Sequence, residues 1–442
     1  MGLLDIVIGS DSMRVGIYSL GCKVNIYESE YVTYLLKNHG YEIVPYDSVA
    51  DIYIINTCSV TNEADKKSRK IIRQAKRHNP EAIVIVMGCY SQINSSMCDA
   101  DIVIGNRDKS KILDHIEEYF ANNKKIEKIY NLRNEISFED MNINSFESHT
   151  RAVVKIQDGC NAFCSYCIIP YTRGAIRSKK KEDVIREVTN LVNNGYKEIV
   201  LTGIHTGKYG MDLKDTNLED LLRELVKIDN LYKIRLSSIE INEITSGIMD
   251  LIKNNEKLAS HLHIPIQSGS DDILSSMNRK YDKKYFIDRV KEIKKLRSDI
   301  SITTDLIVGF PGETDDNFNE TIKTIKEIGF TKIHTFPYSV RDNTPAGRMK
   351  NQVDDRIKKK RVKEILKISF ELEKEYYSKY IGCELEGLSE ERHDKSFVLT
   401  SNYISVILDE KIDNNKVVRV KINRVDDNSN QVYGKIIKSG ER

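Results

Sequence analysis

Asp158-Gly159-Cys160-Asn161-Ala162-Phe163-Cys164-Ser165-Tyr166-Cys167 gathers three thiols within eight consecutive residues. A 4Fe-4S cluster has four irons, so three thiolates leave one iron open for chemistry. Thiolates suit zinc as well, but a closed structural zinc site needs a fourth protein ligand, and none lies at an obvious spacing nearby. The spacing alone leaves iron-sulfur and zinc both open.

Outward from this run, strand and helix patterns alternate in six rounds. The predicted strands are 152–157, 198–202, 233–237, 261–266, 302–308 and 332–336, the pattern of a partial parallel (βα) barrel. Such barrels place their chemistry at the carboxyl ends of the strands. The Cys160 loop, Thr202-Gly203-Ile204-His205, Ser237-Ser238-Ile239-Glu240, Gln267-Ser268-Gly269-Ser270 and Val308-Gly309-Phe310-Pro311-Gly312-Glu313-Thr314 all fall at those ends.

Upstream, strands at 15–20, 52–56, 82–87 and 102–104 alternate with helices at 28–38, 62–78 and a last one ending near Phe120. That reads as a parallel sheet wound on both faces. Cys22, Cys58 and Cys89 each stand just beyond the carboxyl end of one strand, the edge where open α/β sheets bind ligands. Any one of them alone reads more readily as a small buried hydrophobe. The same position three times favours a shared metal site. Cys98 and Cys383 read as structural thiols. The polar stretch 121–150 reads as a connection between domains.

Downstream, short β-branched runs at 396–400, 403–408, 416–422 and 431–437 suggest a small β-barrel. The chain is thus an α/β protein of three domains: 13–122, a doubly wound parallel sheet; 146–378, a partial (βα)6 barrel; and 379–442, a small β-barrel.

Composition narrows the class. Lysine and arginine number 68 against 66 acids, so net charge announces no nucleic acid partner and local runs must decide. Lys66 to His78 carries seven lysines and arginines and no acid, and Arg348 to Lys367 carries nine against three acids. Such runs are ordinarily solvated helix faces; beside a proposed active domain they gain weight as phosphate contacts. From Ile381 on, ten basic residues meet eleven acids, so an RNA-binding face there needs a local patch with aromatics such as Tyr403. Eight cysteines without a secretory pattern argue for a reducing compartment, with cytoplasm the expectation. No stretch approaches the roughly 20 apolar residues of a membrane span. Residues 1–12 are set aside as an upstream start or a frayed extension, because Met13 precedes the first convincing strand.

Ser19-Leu20-Gly21-Cys22-Lys23-Val24-Asn25, Asn56-Thr57-Cys58-Ser59-Val60-Thr61 and Met87-Gly88-Cys89-Tyr90, together with Gly159 to Cys167 and Ile168-Ile169-Pro170-Tyr171-Thr172-Arg173-Gly174, resemble the motifs of the radical S-adenosylmethionine methylthiotransferase family. The resemblance runs from Met13 to the C-terminus. It implies a radical 4Fe-4S cluster on Cys160, Cys164 and Cys167 that cleaves S-adenosylmethionine. It further implies an auxiliary 4Fe-4S cluster on Cys22, Cys58 and Cys89 that supplies sulfur, and a C-terminal TRAM domain.

Leu20 to Asn25, Thr61-Asn62-Glu63-Ala64-Asp65 and Leu201 to His205 look most like the bacterial branch that modifies carbon 2 of N6-threonylcarbamoyladenosine next to the anticodon of tRNA. Isopentenyladenosine in tRNA or a ribosomal protein is the alternative acceptor, and a non-catalytic metal-containing RNA-binding protein a more distant alternative. An electron donor such as flavodoxin or ferredoxin is implied; membrane and DNA are not. Gly203, Gln267, Ser268 and Asp305 lie where the cofactor is expected, strand-end hydrogen bonding being the alternative for the polar three. His205, His261 and His263 receive no catalytic role.

Overall fold

The computed structural model describes residues 12–146, 150–392 and 394–439; apart from Ser12, the segment set aside above lies outside the described residues. The chain gathers into two compact units. The first is Met1–Glu147, Gln157–Ala162 and Cys167–Lys179; the second is Ser148–Ile156, Phe163–Tyr166 and Lys180–Arg442.

The first unit opens with β1 (Arg14–Ser19), α1 (Lys23–Asn38), β2 (Glu42–Val44), β3 (Ile52–Thr57), α2 (Asn62–His78) and β4 (Ile83–Gly88). There follow α3 (Cys89–Ile93), β5 (Ile102–Ile104), α4 (Ile112–Asn122) and β6 (Ile126–Lys128). All neighbouring strands are parallel, in the order β2-β1-β3-β4-β5-β6. Alternate residues of β3 face opposite sides of the sheet. Tyr53 and Ile55 pack with Ile71, Ile72 and Ala75 of α2, whereas Ile52 and Ile54 pack with Val32 and Leu36 of α1 and Ile112 and Ile116 of α4. A sheet covered on both faces needs a central strand that is apolar throughout, and every residue of β3 is buried. At α2, the Thr61 hydroxyl accepts the Ala64 amide at 3.1 Å. Glu63 and Asp65 stand in its first turn and Lys76, Arg77 and His78 in its last, each sign at the end of the helix dipole that stabilises it.

The structure corrects three expectations here. The first helix begins at Lys23, one turn earlier than its apolar pattern indicates, directly after Cys22. β2 is a three-residue edge strand, too short to show a period. The stretch 121–150 is more than a connection: it contributes β6 and buries Leu132, Met141, Ile143 and Phe146.

β7 (Ala152–Asp158) is buried throughout, and its last two residues pair antiparallel with β8 (Arg177–Ser178), which follows the short helix α5 (Ile169–Arg173). The second unit then runs through α6 (Lys181–Asn193), β9 (Glu198–Gly203), α7 (Leu218–Leu225), β10 (Lys233–Leu236), α8 (Ser246–Asn254) and β11 (His261–His263). It continues through α9 (Asp271–Ser276), α10 (Lys283–Lys294), β12 (Ser301–Val308), α11 (Asp315–Ile328), β13 (Lys332–Pro337) and α12 (Asp355–Ser378). The strand order is β10-β9-β7 in one sheet and β11-β12-β13 in the next. Parallel bridges of Ile234 with Leu258 and Ser238 with His263 carry β10 on to β11. All six predicted barrel strands are present, in chain order around a partial barrel.

The C-terminal strands β14 (Glu384–Arg392), β15 (Lys395–Thr400), β16 (Ser405–Leu408), β17 (Val417–Val425) and β18 (Val432–Ser439) close a barrel in the order β14-β15-β16-β18-β17. Val398, Val406, Val418, Val420, Ile422 and Val432 fill it. β14 went unread in the sequence because Glu384, Glu386, Glu390 and Glu391 mask its alternation.

Candidate active site

In the first sheet the chain reverses direction between β1 and β3, and the crevice outside that reversal is where such sheets bind ligands. Cys22 follows β1 and Cys58 follows β3, so the two flank it; Cys89 follows β4. Gly21, at φ +96°, makes the close approach possible: a Cβ there would stand 2.8 Å from Cys58 Cβ and 2.9 Å from its sulfur. Burial pushes the Cys58 thiol up to about 11, with the neighbouring Cys89 and Cys22 thiols adding and Arg173 opposing. Cys22, Cys58 and Cys89 are free thiols. Among the described residues, no three His, Cys, Asp or Glu side chains are grouped to hold a single metal ion. A four-iron cube takes each cysteine on a different iron, so it draws on thiols spaced more widely than the ligands of one ion. Three free thiols in electrostatic reach of one another, at a crevice kept open by a glycine, fit such a cluster.

Behind these thiols lies a buried charge network that sequence reasoning missed. Arg173, at the end of α5, is wholly enclosed. It donates to Glu28 Oε1 at 2.9 Å, to Asp158 Oδ1 at 3.1 Å and to Asn25 Oδ1 at 2.7 Å. The Lys109 ammonium also binds Glu28, and it reaches Asn106 Oδ1 at 3.2 Å. Enclosure works against the guanidinium charge, yet Glu28 and Asp158 outweigh it and hold Arg173 well above its ordinary pKa, helped by the Cys89 and Cys22 thiols. Two cations thus answer two carboxylates out of contact with water, where breaking a pair costs about 3–5 kcal/mol. The only hint in the sequence is that Asn25 and Glu28, three residues apart, share a face of the helix that follows Cys22.

In the first unit, Gly159 at φ +73° precedes Cys160, and a Cβ there would stand 1.8 Å from the Ala175 carbonyl oxygen. The Cys160 amide donates to the Gly174 carbonyl at 3.0 Å, and its sulfur accepts the Ala162 amide at 3.4 Å. Cys167 belongs to the same unit and is half-buried. In the second unit, Cys164 accepts from Arg279 Nη1 at 3.6 Å. Arg279 is fixed by Glu240, by the Pro265 carbonyl at 3.2 Å and by the Tyr281 hydroxyl at 2.7 Å. Beside it Phe163 is 51% exposed at φ +48°, with its carbonyl accepting from Asn278.

At the barrel's carboxyl ends, Gly203 terminates β9. Gln267 adopts φ +65°, and its amide donates to the Asp305 carbonyl at 3.0 Å. Ser268 follows it, buried, with its hydroxyl 3.4 Å from that of Thr321. Asp305 pairs with His263 at 3.2 Å and remains 32% exposed. The structure therefore brings Gln267, Ser268 and Asp305 together. His261 and His263 both hydrogen-bond Thr303, and His205 meets Glu243 at 2.7 Å.

The surfaces read as basic also divide. Lys67, Lys70, Arg73 and Arg77 stand exposed on α2. In the second run, Lys358 and Arg361 are buried; Arg361 binds Glu313 at 2.6 Å and Asp315 at 2.7 Å, which removes both from any surface. Tyr403 is 39% exposed, with its ring stacked on His261 at 4.1 Å and Arg235 5.1 Å from its centre. Tyr433 is half-buried, with Arg424 3.7 Å from its ring centre, and exposed Lys421 and Lys435 are paired on its strand and the adjoining one. Cys98 is buried as expected of a structural thiol, whereas Cys383 is exposed.

Residues 154–325 match the family model of the radical SAM superfamily, and residues 14–105 that of uncharacterized protein family UPF0004. The chain is 45% identical to the threonylcarbamoyladenosine tRNA methylthiotransferase MtaB of Bacillus subtilis, over 92% of this chain and 93% of that protein. It is 39% identical to the MtaB of Aquifex aeolicus over 93% and 100%, respectively. A tRNA-2-methylthio-N(6)-dimethylallyladenosine synthase of Carboxydothermus hydrogenoformans is 34% identical over 91% and 94%. Among solved structures, the radical S-adenosylmethionine methyltransferase TsrM of Kitasatospora setae superposes with a TM-score of 0.56 at 15% identity, covering 76% of this chain and 77% of that one, a likeness of fold alone. With its two cysteine sets, partial barrel and nearly full-length relatives, the chain belongs to the radical S-adenosylmethionine methylthiotransferase family.

Proposed function

We propose that this enzyme adds a methylthio group to carbon 2 of N6-threonylcarbamoyladenosine next to the anticodon of tRNA. The observation that carries the choice of acceptor is identity over nearly the whole chain: 45% and 39% to threonylcarbamoyladenosine enzymes, against 34% to a dimethylallyladenosine enzyme. Membership of the family brings S-adenosylmethionine and a 4Fe-4S cluster. Together they supply a one-electron route to an aromatic C–H bond that acid–base catalysis does not reach.

Cys160, Cys164 and Cys167 are assigned to that cluster, and Cys22, Cys58 and Cys89 to a second one that delivers sulfur. Arg279 sets a fixed positive charge and an N–H donor against Cys164, and Glu240 keeps the guanidinium aimed there. Gly203 leaves the end of β9 without a side chain, so that S-adenosylmethionine approaches backbone. Gln267, beyond β11, and Asp305, on β12, offer it polar contacts, with Ser268 beside Gln267.

Exposed Lys67, Lys70, Arg73 and Arg77 in one unit, and Tyr433 with Lys421 and Lys435 in the other, are proposed to contact tRNA: phosphates by the cations, a base by the ring. The divisions 13–122, 146–378 and 379–442 are then an auxiliary-cluster domain, a radical core and a TRAM-like RNA-binding domain. A flavodoxin or ferredoxin is proposed to deliver electrons, in the cytoplasm. No helix among the described residues is long and apolar enough to cross a membrane.

The division of labour is tested by two variants. Cys160→Ala is expected to abolish release of 5′-deoxyadenosine. Cys58→Ala should retain some release while forming no methylthio product. If both lose only affinity for tRNA, the assignment of the two sites is wrong.

A further inference from the structure

Asn106 touches the Cys89 sulfur, and its amide can be oriented in only one way. Its Oδ1 faces the Lys109 ammonium at 3.2 Å. Its Nδ2 faces the Thr172 carbonyl at 2.9 Å and Cys89 Sγ at 3.4 Å. An ammonium accepts no hydrogen bond and a carbonyl donates none, so a flipped amide would set like against like at both contacts. Asn106 is 3% exposed and Cys89 4% exposed, so no water competes for the sulfur. The residue is locked further by its own backbone amide, which donates to Gln92 Oε1 at 2.9 Å.

We propose that Asn106 is a positioning residue of the auxiliary site: it donates an N–H···S hydrogen bond to Cys89 and so raises the reduction potential of the cluster that Cys22, Cys58 and Cys89 hold. This rests on the assignment of those three cysteines to a cluster. Reduction adds negative charge to the cluster and its sulfurs, and a donor aimed at a sulfur stabilises that charge. Lys109 and Thr172 act through Asn106, the one by fixing its oxygen and the other by fixing its nitrogen. Thr172 lies five residues beyond Cys167, so the segment that ends the radical loop also orients this donor. Cys22 and Cys58 take backbone donors, from Asn25 and Val60, whereas the Cys89 sulfur takes the Asn106 side chain. An amide oxygen lies 3.9 Å from the sulfur of both Cys22 and Cys89, that of Asn25 and that of Asn106. The Asn25 oxygen is itself occupied by Arg173.

The test uses the full chain with Cys160, Cys164 and Cys167 all changed to alanine, so that only the auxiliary site can load. After anaerobic reconstitution with iron and sulfide, this protein should hold about four irons. If it holds none, the cluster assignment itself fails, and this proposal with it. Within that background, Asn106→Asp keeps the shape but removes the N–H, and Asn106→Ser removes the amide altogether. Both should load iron and show a lower midpoint potential in a reductive titration followed by electron paramagnetic resonance, the aspartate variant lower still because it adds a carboxylate. Loaded variants with an unchanged or higher potential overturn the proposal. So does failure of both variants to load while their iron-free forms melt like the parent, or failure of both to fold, because either outcome makes Asn106 a scaffold residue rather than a tuning one.

Discussion

Arg173 Nη1 donates to Glu28 Oε1 at 2.9 Å, with neither side chain exposed to solvent. The pair ties the helix that starts at Cys22 to the segment that follows Cys167. Nothing in the spacing of the cysteines announces that bond.

Arg173→Met should therefore be costly even without iron. It takes the guanidinium from both Glu28 and Asp158, which keep Lys109 and, 3.8 Å away, Arg177 among their partners. A loss of about 3–5 kcal/mol is expected in urea unfolding of the iron-free protein. Adding Glu28→Gln to Arg173→Met should recover part of it, because one of the stranded charges is gone. Equal stability of the parent and Arg173→Met would show that the pair does not hold the fold.

Much of the architecture was legible in the sequence. The apolar runs at 52–57 and 83–88 are buried on both faces of their sheet, and such strands declare themselves. The short or charged strands did not: β2 and β6 have three residues each, and β14 carries glutamates at exposed and buried positions alike, without alternation. The positions of the six cysteines along the chain were readable because strand ends are readable. Arg173, Glu28, Lys109 and Asn106 were not, since the contacts Asn106–Thr172, Lys109–Glu28 and Arg173–Glu28 join residues 66, 81 and 145 apart and only the fold makes them neighbours. Tyr403 is exposed as its place in a β-barrel suggests, but the stack of its ring on His261 was not legible.

The raised Cys58 thiol has a measurable consequence in the iron-free protein. With a pKa of about 11, its thiolate fraction keeps rising tenfold per pH unit through pH 10, whereas an ordinary thiol levels off near pH 9. At pH 8, alkylation of Cys58 should be about tenfold to a hundredfold slower than that of a free peptide thiol, the lower thiolate fraction being partly offset by greater nucleophilicity. Peptide mass spectrometry after timed iodoacetamide treatment reads this. A plateau near pH 9 would contradict it.

At Gly159 an alanine Cβ would collide with the Ala175 carbonyl, and φ there is +73°. Gly159→Ala should displace Cys160 from its bond to Gly174 and lower iron content from about eight to about four per chain, with Cys22, Cys58 and Cys89 still loaded. Full iron content in this variant would mean that the loop tolerates the side chain.

The tRNA surfaces are separable by salt. Lys67→Ala and Lys70→Ala should each reduce the slope of log affinity against log salt by about 0.7–0.9. Tyr433→Ala should weaken tRNA binding by about 1–3 kcal/mol with little change in that slope. Tyr403→Ala should instead lower the unfolding temperature, since it removes the stack with His261. Filter binding across a salt series separates the lysine variants from Tyr433→Ala, and a thermal melt reads Tyr403→Ala; unchanged slopes for both lysine variants would remove α2 from the tRNA surface.

The central claim is that this chain thiolates N6-threonylcarbamoyladenosine, and mass spectrometry of tRNA nucleosides addresses it most directly. In a host deleted for its own enzyme of this kind, expression of the chain should restore 2-methylthio-N6-threonylcarbamoyladenosine, and the Cys58→Ala variant should leave N6-threonylcarbamoyladenosine unmodified. Restoration of only the dimethylallyladenosine product, or no methylthio nucleoside from the soluble, iron-loaded wild-type chain, would contradict it.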